Sequence, residues 1–252
     1  MNAIDYSAID ALKERLDSYR PLRREIVENL HENLILQWTY NSNAIEGNTL
    51  TIKETKVALE GITIGGKTMR EHFEVINHRE AITFIEELVK KNEPLSEWDI
   101  KSIHQLILKN IDNGNAGKYR DVNVRISGAD HVPPDALHIS EAMASFIEWY
   151  KVKAIDMHPL ERAARVHGEF VKIHPFTDGN GRTARLLTNL ELMKSGYPAV
   201  VIPVERRLDY YVALDTAHTT NDYTLFLKLM LEMCKDSFSP YWYAIGINND
   251  EG

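Results

Sequence analysis

The chain has 252 residues, of which 44% are hydrophobic and 26% are charged, as is ordinary for a soluble globular protein with one sizeable domain and an accessory lobe. Its formal net charge of −8 argues against a protein that binds nucleic acid. Cys234 is the only cysteine, which excludes an intrachain disulfide and a thiolate metal cluster, so we expect this residue in the core.

The sequence also bears on location. No stretch reaches the roughly 20 apolar residues that a membrane-spanning helix requires. The first residues, Met-Asn-Ala-Ile-Asp, do not begin a basic segment followed by an apolar run. We therefore expect a cytoplasmic protein with neither a membrane partner nor a nucleic-acid partner.

Helical periodicity runs through residues 1–94, which we predict to form an N-terminal helical lobe. Pro21 is expected at the first position of the second helix, where proline is well tolerated. Thr51 and Glu54 are spaced as a capping box for the third helix. The Asn-Glu-Pro break that closes the lobe separates it from a second domain, residues 95–252. The predicted helices of the lobe cover about residues 6–18, 21–41, 52–60 and 69–91.

One segment of the second domain departs from helical periodicity. Between residues 118 and 134, Val122, Val124 and Ile126 alternate with polar residues, and a Gly-Ala-Asp sequence follows as a turn. This pattern predicts a β-hairpin, the only one in the chain. The predicted helices around it cover about residues 96–110, 140–153, 159–172, 181–195, 205–217 and 223–242.

The segment from residue 174 to residue 185 reads His-Pro-Phe-Thr-Asp-Gly-Asn-Gly-Arg-Thr-Ala-Arg. Gly179 and Gly181 let backbone N–H groups approach an anion, and the helix that follows points its positive end at the same place. Arg182 and Arg185 are three positions apart, so both project from one helix face and can bind phosphate oxygens bidentately. The segment therefore predicts a phosphate site.

Two other side chains of this segment supply groups for catalysis. His174 is a proton acceptor whose ordinary pKa of about 6.5 lies near working pH. Asp178 is the hard oxygen ligand that Mg²⁺ prefers beside nucleotide phosphates. Phe176 is expected to anchor the loop by packing. His158, at a helix start, and His167, on an apolar helix stripe, are predicted to be structural.

The spacing His-Pro-Phe-x-Asp-Gly-Asn-Gly-Arg-x-x-Arg resembles the signature of Fic-domain proteins at every fixed position. Upstream, Ser-Asn-Ala-Ile-Glu-Gly-Asn at residues 42–48 resembles the inhibitory motif that one class of this family carries N-terminal to its catalytic core. Read alone, these letters also describe a short helix capped by Ser42 and ended by Gly47. The resemblance implies an all-α fold, a Fic-domain helical core with one β-hairpin flap and an N-terminal helical lobe.

The resemblance implies transfer of AMP from ATP to the hydroxyl group of a target protein. His174 would be the general base, and Asp178 would bind Mg²⁺. Glu46 would compete for the guanidinium of Arg185, so the implied inhibitory residues are Ser42, Glu46 and Gly47. The implied ATP-binding residues are Asp178, Gly179, Asn180, Gly181, Arg182, Thr183, Ala184, Arg185, Tyr210 and Tyr211.

The sequence leaves alternatives open for three features outside the signature: the tyrosine pair, the adenine pocket and the hairpin. Adjacent tyrosines on a helix usually place one side chain in the core and one at the surface, whereas in related Fic proteins such a pair contacts the nucleotide. His218, or Asn221 after a short insertion, is the candidate for the adenine pocket. The hairpin is either a surface hairpin without a partner or a flap that binds the target's backbone by strand addition. The predicted flap residues are Ile126, Ser127, Gly128, Ala129, Asp130 and His131.

Two further functions stay open as well. Some inhibitory glutamates of the family help to hydrolyse the AMP–protein bond, so a de-AMPylase or a bifunctional enzyme is one alternative. A nucleotide-binding regulator without transfer activity is the other, although a pure binder does not require His174. The expected partner is a protein with a hydroxyl side chain and of unknown identity. Modification of the chain by itself and a homodimer are two more partner hypotheses.

Overall fold

The computed structural model describes residues 4–247, and all regular secondary structure in that range is helical. Within the same range, no helix combines the length and the apolar character needed to cross a bilayer. Eleven α-helices are numbered in chain order: α1 Ser7–Asp17, α2 Arg24–Ile45, α3 Ile52–Leu59, α4 Met69–Lys91, α5 Glu97–Leu108, α6 Ile139–Val152, α7 Pro159–Ile173, α8 Asn180–Lys194, α9 Arg207–Thr220, α10 Thr224–Asp236 and α11 Ser239–Ile245.

Local signals account for most helix ends. Capping boxes open α3 at Thr51, α4 at Thr68 and α5 at Ser96, where each side chain accepts a hydrogen bond from the third helical N–H. His158 caps α7 by accepting a hydrogen bond from the N–H of Leu160, which confirms a structural role. Helix α1 and the helices from α3 to α9 lie within three residues of their predicted bounds.

Helix α2 differs from its prediction at both ends. It begins at Arg24, three residues after Pro21, and it continues through Ile45, so residues 42–45 of the predicted inhibitory motif form its last turn and only residues 46–48 follow the helix. Asparagine and serine are poor helix formers, but tertiary contacts stabilise this turn. Asn41 accepts a hydrogen bond from the N–H of Val204 at 2.9 Å. This contact joins residues that are far apart in the sequence, so it forms only when the chain folds.

The last predicted helix is two helices. α10 ends at Asp236 and α11 begins at Ser239, with Pro240 in its first turn. Proline has no N–H, and its ring clashes with the carbonyl group four residues earlier, so one continuous helix through residue 240 is disfavoured. Phe238 is fully buried at the break and packs in the core.

Helices α7 and α8 pack together along their length, and α8 is buried through almost all of residues 180–192. The cluster that they form with α1, α9 and α10 contains Cys234, which confirms this thiol as core. A second cluster joins α7 and α8 to α2, α4, α5 and α6, and it brings Trp38 and Ile82 together with helices beyond residue 94. The division at residue 94 stays a prediction, but the two parts share a hydrophobic core.

The predicted β-hairpin is wrong. Residues 121–135, here called the flap segment, form a turn between two arms without regular secondary structure. Pro133 and Pro134 have no N–H to donate to a ladder. Instead, the guanidinium of Arg120 joins the two arms by donating to the carbonyl oxygens of Val122 at 2.8 Å and Pro134 at 2.5 Å. Side-chain hydrogen bonds thus replace the backbone pairing that the alternation suggested.

Loss of hydration keeps five histidines of the described residues in the neutral state. Burial lowers the pKa of His104, His174 and His218 to about 4. Burial also keeps the pKa of His78 and of His167 well below the ordinary value. His167 is hydrogen-bonded through both ring nitrogens, which confirms it as an interior residue. Each of these rings would have to gain a proton if the chain unfolded at mildly acidic pH.

These histidines predict a specific loss of stability in acid. The unfolded chain takes up protons below about pH 6.5 that the folded chain excludes until about pH 4, so the free energy of unfolding should fall as pH drops through that window. Urea titrations from pH 8 to pH 4.5 measure it. His218→Asn should reduce the pH slope, whereas His138→Asn, at an exposed side chain, should leave it unchanged. Equal slopes in both variants would contradict this explanation.

Candidate active site

The segment from His174 to Arg185 forms a loop between α7 and α8. α7 ends at His174 with a φ of 51°, because Pro175 cannot continue the helix. Gly179 caps α8 with a φ of 76°, and a Cβ at this position would lie 3.2 Å from Ile107. Glycine is therefore required here both by backbone conformation and by space. The first N–H groups of α8 therefore lie directly after the loop.

The loop is held internally by Asn180 and Phe176. The side-chain amide of Asn180 donates to the carbonyl oxygen of Phe176 at 2.8 Å and accepts from its N–H at 3.0 Å. Phe176 is fully buried, which confirms it as a packing anchor. Because both ends of the Asn180 amide bind the loop backbone, this residue shapes the anion site rather than reaching into it.

His104 on α5 is a residue of the site that the sequence did not indicate. Its ring stacks on Phe176 at 3.5 Å between centroids. Nδ1 accepts from the N–H of Gly117 at 3.0 Å, so Nε2 carries the proton and donates to the carbonyl oxygen of Asp178 at 2.9 Å. His104 thus supports the loop from outside, and its position 70 residues before the signature left no local signal.

His174 is held as a neutral base. Burial, helped by the positive charge of Arg120, lowers the pKa of His174 to about 4, although the carbonyl of Val171 and the charge of Glu46 oppose this shift. Arg120 also donates to the carbonyl oxygen of His174 at 2.8 Å and so fixes the end of α7. At neutral pH the imidazole can accept a proton.

Asp178 is an ionised carboxylate among cationic groups. Burial alone would raise its pKa, but Arg182, the N–H of Gly179 and Arg70 together bring the pKa below its ordinary value. Oδ1 accepts from the N–H of Gly179 at 2.6 Å and lies 3.2 Å from Nη2 of Arg182. Oδ2 lies 2.5 Å from Nη2 of Arg70 on α4, a contact that the sequence did not predict.

Arg185 and Glu46 meet at the start of α8, as the sequence predicted. Nη2 of Arg185 lies 2.7 Å from Oε1 of Glu46, and the guanidinium also donates to Oγ and the carbonyl oxygen of Ser42. A Cβ on Gly181 would overlap Oε1 of Glu46. The carboxylate therefore lies against the first turn of α8, where a helix terminus binds an anion. Gly47, with a φ of 98°, turns the chain away from α2.

Three of the other predicted nucleotide residues lie inside the protein, and Tyr211 lies at its surface. Thr183 and Ala184 are fully buried within α8. Tyr210 is buried, and its hydroxyl group lies 2.8 Å from Nε2 of His167 and 3.5 Å from Nη1 of Arg185. Tyr211 is half-exposed and donates to the carbonyl oxygen of Ile45 at 3.2 Å. The pair thus has one core and one surface member, and its contact with a nucleotide stays a prediction.

The flap segment lies against α9 and the end of α7. The carboxylate of Asp215 accepts hydrogen bonds from the N–H groups of Asp130 and His131, and Nε2 of His131 donates to the carbonyl oxygen of Lys172 at 2.8 Å. His218 is buried, with its ring 5.1 Å from that of His131. Asn221 ends α9 at an exposed position. The predicted flap residues at the exposed turn are Ile126, Ser127, Gly128 and Ala129.

The chain belongs to the Fic/DOC family. The sequence profile of this family matches residues 94–192. A solved structure of Fic-1 (residues 134–508) from Caenorhabditis elegans aligns with a TM-score of 0.87 and 32% identity, over 95% of this chain and 71% of that one. A Fic-domain-containing signaling protein from Bacteroides thetaiotaomicron aligns with the same TM-score and 30% identity, over 97% of this chain and 99% of that one.

Among curated relatives, protein adenylyltransferase fic-1 of Caenorhabditis briggsae is 37% identical over 247 residues. That alignment covers 93% of this chain and 48% of the relative. The chain thus spans about half the length of the curated relatives it matches.

The support of the loop by His104 predicts a local effect on substitution. His104→Ala removes a buried ring and two hydrogen bonds, so it should lower the free energy of unfolding by about 2–4 kcal/mol. It should also speed amide hydrogen exchange in residues 176–183. His72→Ala is the matched control, because His72 is equally buried on α4 and also bonds two backbone groups. Exchange that rises equally in both variants would contradict a loop-specific role.

Proposed function

We propose that the chain is a protein adenylyltransferase that transfers AMP from ATP to a hydroxyl side chain of a target protein. One observation carries this proposal: a neutral base, His174, and an anion site at the N-terminus of α8 are the two ends of one short rigid loop. Curated relatives named protein adenylyltransferase support the same activity. The proposal extends to a hydroxyl-bearing protein target, a cytoplasmic location and a homodimer.

The base has a defined part in the reaction. The target hydroxyl loses its proton to the imidazole of His174 as its oxygen attacks the α-phosphorus, and pyrophosphate leaves. A neutral hydroxyl is a poor nucleophile and needs a base. The low pKa of His174 leaves its imidazole unprotonated at neutral pH, so a ring nitrogen is free to take the proton. The N–H groups at the start of α8 and the guanidinium of Arg182 supply fixed positive charge for the phosphate oxygens.

Asp178 is the residue that would hold Mg²⁺. The described residues contain no cluster of three or more His, Cys, Asp or Glu side chains suited to a metal ion. A single ionised carboxylate beside an anion site nevertheless fits Mg²⁺, which commonly binds one or two carboxylates together with substrate phosphates. When bound, Mg²⁺ would neutralise charge on the phosphates of ATP.

Inhibition follows from the ion pair between Glu46 and Arg185. The carboxylate lies against Gly181 and uses the guanidinium that the γ-phosphate of ATP would need. Ser42 and Tyr210 contact the same guanidinium, so it stays in position when Glu46 is removed. In the resting state, ATP would therefore bind without the contact that places it for transfer.

The two alternative functions predict different results. A de-AMPylase would release AMP from a modified target, and a regulator would bind ATP without transferring AMP. The relatives named for the transfer reaction favour a transferase. The mutations below separate a transferase from a regulator, because AMP transfer and ATP binding are measured independently.

Replacing the base should separate binding from chemistry. In a Glu46→Gly background, His174→Ala should lower AMP transfer by about 10²- to 10⁴-fold, the usual cost of losing a general base. The affinity for ATP, measured by calorimetry, should change little, because the imidazole acts in the transition state. His138→Ala, at an exposed histidine, is the control. If ATP binding and transfer fall together, His174 serves binding or folding instead.

Releasing Arg185 should activate the enzyme. Glu46→Gly should raise self-modification with labelled ATP by about fivefold or more, and Arg185→Ala should abolish this gain in the double variant. Glu60→Gly is a matched control, since Glu60 also follows a helix at its C-cap and precedes a glycine with positive φ. If Glu46 were only a cap residue, both variants would lower the melting temperature and neither would change transfer.

A further inference from the structure

Four charged side chains form a closed ring at the entrance to the anion site. Arg70 lies 2.5 Å from Oδ2 of Asp178 and, through Nε, 3.2 Å from Oε1 of Glu74. Oε1 of Glu74 lies 3.2 Å from Nη1 of Arg182, and Nη2 of Arg182 lies 3.2 Å from Oδ1 of Asp178. We call these four residues the ion-pair ring. Its charges alternate and sum to zero.

The members of the ion-pair ring differ in exposure. The side chains of Arg182 and Glu74 are 2% and 10% exposed, whereas that of Arg70 is 57% exposed. An exposed ion pair contributes little to stability, because water and salt screen it. Arg70 is therefore the member that can leave at the lowest cost, and the other three keep their mutual contacts when it does.

The two oxygens of Asp178 have different partners. Oδ1 is held by the loop itself, through the N–H of Gly179, and by Arg182. Oδ2 has Arg70 as its partner. A metal ion approaching Oδ2 therefore meets a guanidinium on the same atom, and two cations at one carboxylate oxygen repel each other.

We propose that Arg70 competes with Mg²⁺ for Oδ2 of Asp178 and so sets the Mg²⁺ concentration at which the site takes up metal and nucleotide. This inference rests on the proposed function in one respect, the assignment of Asp178 as the metal ligand. It adds a second resting contact from the N-terminal lobe, on α4, that is separate from the ion pair between Glu46 and Arg185.

The ion-pair ring is also connected to the inhibitory motif. Nδ2 of Asn48 donates to Oε2 of Glu74 at 2.9 Å, and Asn48 lies two residues after Glu46. Glu74 thus joins the turn after α2 to the side chains that surround Asp178. The same turn therefore carries Glu46, which contacts Arg185, and Asn48, which contacts the ion-pair ring.

The test measures binding rather than activity. α,β-Methylene-ATP, whose α–β bridge resists transfer, is titrated into the Glu46→Gly protein by calorimetry, at a series of Mg²⁺ concentrations and in EDTA. Adding Arg70→Gln should lower the half-saturating Mg²⁺ concentration by about two- to fivefold, the range expected for an exposed ion pair. Affinity in EDTA should not rise. Arg70→Lys keeps the positive charge on a shorter side chain, so it should shift the half-saturating Mg²⁺ concentration less.

The controls distinguish a failure of the competition by Arg70 from a failure of the assignment of Asp178 as the metal ligand. Arg79→Gln removes the same charge from α4 at a residue that donates to the carbonyl oxygen of Leu59, and it should leave the Mg²⁺ dependence unchanged. An unchanged half-saturating Mg²⁺ concentration in Arg70→Gln overturns the competition. Weaker binding both with and without Mg²⁺ also overturns it, since Arg70 would then bind phosphate. If Asp178→Ala keeps the parental Mg²⁺ dependence, the metal assignment in the proposed function fails instead, and the inference fails with it.

Discussion

The buried guanidinium of Arg185 is the constraint on which the active site depends. A buried cation needs opposite charge and hydrogen bonds, because its removal from water costs several kcal/mol. α8 presents this group to the last turn of α2, where Ser42 and Glu46 satisfy it. Burial opposes its charge, but Glu46 keeps the pKa of Arg185 above the ordinary value. A phosphate would meet the same need, so under the proposed function the resting fold and the nucleotide would compete for this side chain.

The segments around this group are held in different ways. The proposed transfer of AMP depends on positioning, which loose loops supply poorly. The signature loop is accordingly held by Asn180 from within and by His104 from α5. The flap segment is held largely by side chains, with Arg120 joining its arms and Asp215 accepting hydrogen bonds from the N–H groups of Asp130 and His131. An extended target could therefore meet a segment whose backbone is not committed to a sheet.

The sequence by itself determined the chemistry of the loop and most helix bounds. Base, carboxylate, glycines and arginines lie within twelve contiguous residues, so local geometry alone brings them to one helix terminus. Capping residues such as Thr51 and Ser96 mark helix starts, because each side chain accepts a hydrogen bond from the N–H group three residues later. The pairing of Glu46 with Arg185, 139 positions apart, was predicted only because both residues lie in recognisable family motifs.

Only the tertiary structure decided what depends on packing between distant segments. The last turn of α2 is helical despite its asparagines, because buried contacts outweigh local propensity. The alternating residues before Gly128 lack a strand partner, since strand pairing is a property of two segments and not of one pattern. His104 and Arg70 reach the loop from α5 and α4. Nothing in their local sequence distinguishes them, because their roles arise from where those helices dock.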